Sequence, residues 1–151
     1  MANTQELKEI ALARLKTSQI LINANDWDGA GYMLGYVLEC ALKAVICKTL
    51  KLLDYPQYTK NEKTDAYFMT HKFDQLLIAS GMDYIFSSRG PADAFKYWST
   101  FTEEYPGDWP TMRYDRQRQK QFDEIKVQKL YNVLTEKKRG ILAIIEQEKK
   151  W

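Results

Sequence analysis

Residues 26–53 read DWDGAGYMLGYVLECALKAVICKTLKLL, and this stretch decides the fold. Its apolar residues recur at three- and four-residue steps, the spacing of one face of a helix. Asp26 is a good N-cap, because its carboxylate can accept from unpaired N–H groups in the first turn. Glu39 and Lys43 stand four residues apart, the favourable order for an exposed ion pair. The stretch therefore predicts a long central core helix with a salt-bridged outer face.

A chain of 151 residues is expected to form one domain, residues 1–151. Its 22 basic and 20 acidic residues are too balanced to indicate nucleic-acid binding by themselves. Cys40 and Cys47 lie two turns apart on the predicted helix, too far for a disulfide, and are expected to be buried thiols. The sequence has no uninterrupted apolar run of 18 residues and no apolar N-terminal leader, so we expect a cytoplasmic protein without a membrane partner.

The rest of the chain also has helical patterns. Asn3 and Glu6 have the spacing of a capping box, which predicts a first helix over residues 4–24. The short turn after it predicts an antiparallel hairpin of two long helices at the N-terminus. We therefore expect an all-α protein, an up-and-down bundle of four to five helices.

The later elements are shorter, apart from the last. A polar loop is predicted over residues 54–69. A helix is predicted from His71 to Ser80, capped by Thr70 and ended by Gly81. Further predictions are a helix from Ala92 to Phe101, a loop over 105–110, and a last helix that starts between Asp115 and Phe122 and continues, despite Gly140, nearly to the C-terminus.

Few residues suit chemistry. One histidine and two cysteines cannot form a structural zinc site, and neither a metal nor a cofactor is predicted. His71 is either a neutral imidazole that caps or bridges to a neighbouring helix, or a site residue facing a groove. Residues 113–120, RYDRQRQK, follow Trp109 and combine cations with an aromatic ring. This mixture suits a phosphate or a nucleotide, although a solvated helix start is the plainer interpretation.

Three stretches together resemble the HEPN domain family. Residues 30–44, AGYMLGYVLECALKA, are similar to the second helix of these domains and end in E-x-x-L-K-A. Residues 70–77, THKFDQLL, are similar to the T-H-x-L/F-x-x-L helix, and Trp109, Arg113 and Tyr114 match a W-x-x-x-R-Y element. The matches follow the family's order and span most of the chain.

The resemblance implies a helical bundle that usually forms a homodimer. Family members include ribonucleases of toxin–antitoxin, abortive-infection and CRISPR-associated systems, and non-catalytic partners of small nucleotidyltransferases. Catalytic members carry R-x(4–6)-H. His71 would need an arginine at position 64, 65 or 66, where this chain has Thr64, Asp65 and Ala66. The missing arginine argues against catalysis.

The resulting hypothesis is a non-catalytic module that binds a nucleotide, RNA or a protein partner such as a nucleotidyltransferase, in a toxin–antitoxin or phage-defence setting. Arg113 would contact phosphate, Trp109 or Tyr114 would stack, and Lys43 would add charge; alternatively, Arg113 pairs with Glu39. A second hypothesis is a metal-independent ribonuclease with His71 as general acid or base and Arg113 as phosphate clamp. A third is a structural antitoxin-like partner with a large exposed apolar patch. The predicted site residues are Tyr36, Glu39, Lys43, His71, Trp109, Arg113 and Tyr114.

Overall fold

The computed structural model describes residues 2–57, 59–114 and 121–151. These residues form eight α-helices and one 3-10 helix, with no strand among them. The all-α prediction is confirmed, but the predicted number of four to five helices is wrong. The α-helices are α1 Thr4–Asn23, α2 Trp27–Thr49, α3 Glu62–Phe68, α4 Phe73–Ser80, α5 Asp83–Phe86, α6 Ala92–Thr102, α7 Glu124–Thr135 and α8 Ile141–Gln147; the 3-10 helix is Trp109–Tyr114.

The N-terminal hairpin forms as its caps predict. The Asn3 side chain accepts from Glu6 N, and the Glu6 carboxylate accepts from Asn3 N, each at 2.9 Å. Asp26 accepts from Gly29 N at 2.9 Å and begins α2. Only residues 24–26 separate the two helices, which pack along each other.

Helix α2 is the centre of the core and contacts α1, α4, α7 and the 3-10 helix. Its length and composition would allow a membrane span, but 72% of its apolar window is buried inside the fold. Such burial is typical of the core helix of a soluble protein. Cys40 and Cys47 are free thiols on this helix, and burial raises the pKa of both.

The prediction of a polar loop over residues 54–69 is wrong, because α3 occupies the second half of this stretch. Asn61 caps this helix by accepting from Lys63 N and Thr64 N, each at 3.1 Å. The Asn61 side chain thus supplies a helix start in a stretch whose charged sequence has no apolar period.

The boundaries of α4 and α6 differ slightly from prediction. Helix α4 begins at Phe73, so His71 precedes the helix instead of opening it. Thr70 Oγ1 accepts from Lys72 N at 3.1 Å, a local turn that competes with helical pairing there. Gly81 ends α4 in the left-handed conformation, as predicted, and α6 follows Pro91.

The prediction of a single long C-terminal helix is also wrong. Asp123 caps α7 by accepting from Lys126 N at 2.8 Å, so the helix begins after the predicted window. Glu136 leaves the helical conformation and its carboxylate accepts from Lys138 N at 3.1 Å, so α7 ends at Thr135, five residues before Gly140. The chain resumes as α8 at Ile141. Residues 115–120, most of the predicted basic patch, lie outside the described residues.

Aromatic rings fill the space between α2, α4 and the 3-10 helix. Phe73 stacks on Trp109 with ring centroids 5.7 Å apart, and Tyr105 stacks on Phe101 at 5.0 Å. The Tyr105 hydroxyl donates to Gly31 O at 2.7 Å, and burial raises the pKa of this hydroxyl well above the usual range. The predicted loop 105–110 therefore contributes core residues and runs into the 3-10 helix.

Candidate site around the Glu39–His71 pair

Glu39 lies at the centre of the candidate site. Tyr36, Glu39 and Lys43 follow three- and four-residue steps on α2 and share one of its faces. Glu39 is only 5% exposed, and its Oε2 lies 3.8 Å from Lys43 Nζ. The prediction of an exposed ion pair is therefore wrong: α4 and the 3-10 helix pack over this face, and the carboxylate becomes interior.

His71 meets Glu39 from the segment just before α4. Its Nδ1 forms a hydrogen bond with Glu39 Oε1, while 47% of the side chain stays exposed. Because an ionised carboxylate only accepts, this contact requires a proton on Nδ1. The imidazole thus bridges to a neighbouring helix, one of its two predicted roles, and still faces solvent.

Trp109 is hydrogen-bonded to the backbone of His71. Its indole Nε1 donates to His71 O at 3.0 Å, and its ring lies edge-on to Tyr36 with centroids 4.8 Å apart. At 1% exposure, with Phe73 stacked on one side, the ring has no face for a ligand. The stacking role predicted for Trp109 is wrong for this arrangement; the residue supports the site from inside.

Lys43 is held by two neighbours. Besides Glu39, its ammonium lies over the Tyr55 ring at 5.2 Å from the centroid, and 15% of its side chain is exposed. Tyr55 is buried and donates its hydroxyl to Phe68 O at 2.6 Å; burial raises its pKa well above the usual range. Sequence reasoning missed Tyr55, because a Tyr-Pro step after a helix signals only a loop.

The remaining two predicted residues belong to the 3-10 helix. Tyr114 is exposed at its end. The backbone of Arg113 is part of the same helix, but its side chain lies outside the described part of the structure. The predicted phosphate contact of Arg113, its alternative pairing with Glu39 and its distance from His71 therefore stay predictions. Among the described residues, Glu39 pairs with Lys43 and His71.

This arrangement resembles the paired carboxylate and imidazole used in acid–base chemistry and phosphate recognition. With Nδ1 hydrogen-bonded to Glu39, Nε2 on the opposite side of the ring is the nitrogen that can contact a ligand. Nε2 accepts from a ligand when the ring is neutral and donates to an oxyanion when the ring is protonated. No group of three metal-ligating side chains occurs among residues 2–57, 59–114 and 121–151.

Compared with protein-family models, curated proteins and solved structures, the chain matches none of them. The fold and the site thus define its class by themselves. It is an all-helical protein with a long N-terminal helix pair and a half-exposed histidine bonded to a buried glutamate.

Proposed function

We propose that this chain is a HEPN-like binding module whose Glu39–His71 site takes a phosphate-bearing ligand, a nucleotide or RNA. One observation carries the proposal. The only histidine of the chain is anchored through Nδ1 to a buried carboxylate and keeps 47% of its side chain exposed. A fixed ring binds at a lower entropic cost than a mobile one, because its rotamer is already selected.

The local charge balance supports an anionic ligand. Glu39 contributes one negative charge, which Lys43 at 3.8 Å offsets, so protonation of His71 leaves the cluster positive. A ligand phosphate can supply the counter-charge and accept from Nε2. In the proposed complex, Arg113 contacts the same phosphate, while Tyr36 and Tyr114 supply the aromatic surface that Trp109 cannot.

The wider proposal follows the family resemblance. It comprises the up-and-down bundle, a homodimer, a nucleotidyltransferase-type partner and a toxin–antitoxin or phage-defence setting in the cytoplasm. Light scattering on the purified chain tests the dimer: a mass of about twice 17.7 kDa is expected, and a mass of 17.7 kDa at all concentrations contradicts it.

A metal-independent ribonuclease is the second candidate function, and the carboxylate–imidazole pair specifically favours it. Glu39 would orient His71 by accepting from its Nδ1, as a carboxylate does for a catalytic histidine. His71 would then exchange a proton with the ribose hydroxyl or the leaving oxygen at the scissile phosphate. This candidate still lacks the family's R-x(4–6)-H arginine.

RNA binding and cleavage in EDTA separate these candidates. The wild type, His71→Ala and Arg113→Ala are compared by fluorescence anisotropy with labelled single-stranded RNA, and the same mixtures are run on denaturing gels. Arg89→Ala, which removes an exposed cation elsewhere, is the matched control. Loss of a charge-assisted hydrogen bond should weaken binding about tenfold or more in the two site variants alone.

The outcomes are distinct. Site-dependent binding with intact RNA supports the binding module. Cleavage that both site variants lose establishes the ribonuclease instead. RNA binding that is absent, or equally strong in all four proteins, contradicts an RNA site at His71, and titration with mononucleotides then tests the remaining ligand class.

A further inference from the structure

A second surface lies away from the Glu39–His71 pair, between α4, α5 and α6. It is a groove of about 590 Å³ whose floor includes Phe73, Leu77, Phe86 and Trp98. Helices α5 and α6 contact each other through two of these rings, with the Phe86 and Trp98 centroids 5.3 Å apart. The groove between the helices is therefore apolar at its base and open to solvent above.

Two large apolar side chains extend this floor onto the surface. Ile78 on α4 is 66% exposed, and Phe95 on α6 is 41% exposed. Both side chains line the same groove. Apolar side chains exposed together around a concave, apolar floor are typical of a site that a partner covers.

The rim of the groove is acidic. Asp74, Asp83 and Glu103 line it, and no lysine or arginine is among the described residues that do. The nearby acids Asp93 and Glu104 have ion pairs with Arg139 and Lys126, at 3.0 and 3.5 Å. In contrast, Asp74, Asp83 and Glu103 have no ion pair within residues 2–57, 59–114 and 121–151. These three carboxylates on one rim therefore have no cationic partner within the described part of the chain.

We propose that this groove binds a basic amphipathic segment of a partner protein, with apolar side chains over Phe86 and Trp98 and lysines or arginines against Asp74, Asp83 and Glu103. The apolar floor supplies the binding energy, and the acidic rim selects for basic flanks and speeds encounter. A nucleic acid would be repelled by the same rim. The proposal does not depend on the ligand of the Glu39–His71 site.

A designed peptide pair tests this surface. The probes are fluorescein-labelled Ac-LKKLLKLLKKLLKL-NH2 and its acidic counterpart, in which every lysine is glutamate. Anisotropy should show that wild-type protein binds the basic peptide, that salt weakens the complex, and that the acidic peptide does not bind.

Two matched sets of variants locate the contact. Asp74→Asn/Asp83→Asn/Glu103→Gln should weaken basic-peptide binding about tenfold, whereas Glu9→Gln/Glu124→Gln/Glu148→Gln, with the same change in net charge, should leave it unchanged. Ile78→Gln should weaken binding about fivefold or more, and Ile125→Gln, at a 78% exposed isoleucine on α7, should not. All variants lie at exposed positions and are checked for native circular dichroism.

The proposal is overturned if the basic peptide fails to bind, or if the acidic peptide binds as well. It is equally overturned if the two triple variants weaken binding to the same extent, because binding would then reflect net charge and not the groove.

Discussion

The indole N–H of Trp109 donates to the carbonyl oxygen of His71 across 38 positions of sequence, at 3.0 Å. This bond fixes the backbone that carries the imidazole, and Glu39 fixes the ring itself. The site is therefore held from two sides: by a buried tryptophan on the 3-10 helix and by a buried carboxylate on α2.

Replacing Trp109 by Phe should cost stability beyond the lost ring volume. Trp98 is also buried, and its indole N–H donates to none of the described residues, so Trp98→Phe controls for volume alone. We expect Trp109→Phe to lower the free energy of unfolding by about 1 kcal/mol more than Trp98→Phe, because His71 O loses its donor. Urea unfolding followed by circular dichroism measures both, and equal losses would contradict a stabilising role for this bond.

Gly35 should not tolerate a side chain. A Cβ at this position would lie 2.8 Å from Tyr105 Cε1 and 2.9 Å from Trp109 Cζ3, both in buried rings that cannot yield. Gly35→Ala should cost about 1–3 kcal/mol of unfolding free energy. Gly107→Ala is the control, since its Cβ would meet only the flexible Lys72 chain at 3.2 Å and should change stability by less than about 0.5 kcal/mol. A neutral Gly35→Ala would mean that the aromatic cluster is loosely packed.

Removing the charge of Glu39 should destabilise the fold more than removing that of a surface partner. Glu39→Gln leaves Lys43 without its nearest carboxylate in a partly buried setting, and we expect a loss of about 1–3 kcal/mol. Glu104→Gln, which breaks the more exposed pair with Lys126, should cost less than about 1 kcal/mol. Thermal unfolding at neutral pH compares the two variants. A smaller loss for Glu39→Gln would show that its burial penalty cancels the pairing.

Glu146 should make a small, pH-dependent contribution through its contacts between α8 and the N-terminal helix. The hydrogen bond from Lys8, followed by that from Trp151, lowers the pKa of this carboxyl in the folded state. A folded pKa below the unfolded one stabilises the protein above the unfolded pKa of about 4.3, and this stabilisation is lost as pH falls through the folded pKa.

We therefore expect Glu146→Gln to lose less than about 1 kcal/mol at pH 7, because the pair is solvent-screened, and this deficit to shrink as the pH is lowered to 3. The exposed Glu148→Gln is the control and should match the wild type at both pH values. A Glu146→Gln deficit that persists unchanged to pH 3 would assign the effect to packing.

The sequence predicts what local interactions decide. The caps at Asn3, Asp26 and Gly81 depend on residues within one turn, and all three form as expected. The break after Glu136 was missed because the helical apolar period continues across it. The short helix α3 was missed for the opposite reason, since its start depends on Asn61 and it has no apolar period.

The site illustrates a further limit of sequence reasoning. Its members were predicted from motif spacing, but their burial depends on contacts between distant segments. The Glu39 carboxylate became interior because His71, 32 residues later, folds over it. Trp109 became a support instead of a stacking surface because Phe73 and Tyr36 enclose it. No local pattern encodes these contacts.

Nuclear magnetic resonance of the imidazole tests the central claim most directly, because His71 is the only histidine in the chain. Long-range proton–nitrogen spectra of labelled protein should place the proton on Nδ1 when the ring is neutral, and Glu39→Leu, which removes the acceptor, should abolish this preference. Titration with adenosine monophosphate or short single-stranded RNA should then shift the Nε2 resonance saturably, whereas adenosine, which lacks the phosphate, should not. A ring resonance unmoved by millimolar nucleotide and by RNA would contradict a phosphate-binding site at His71.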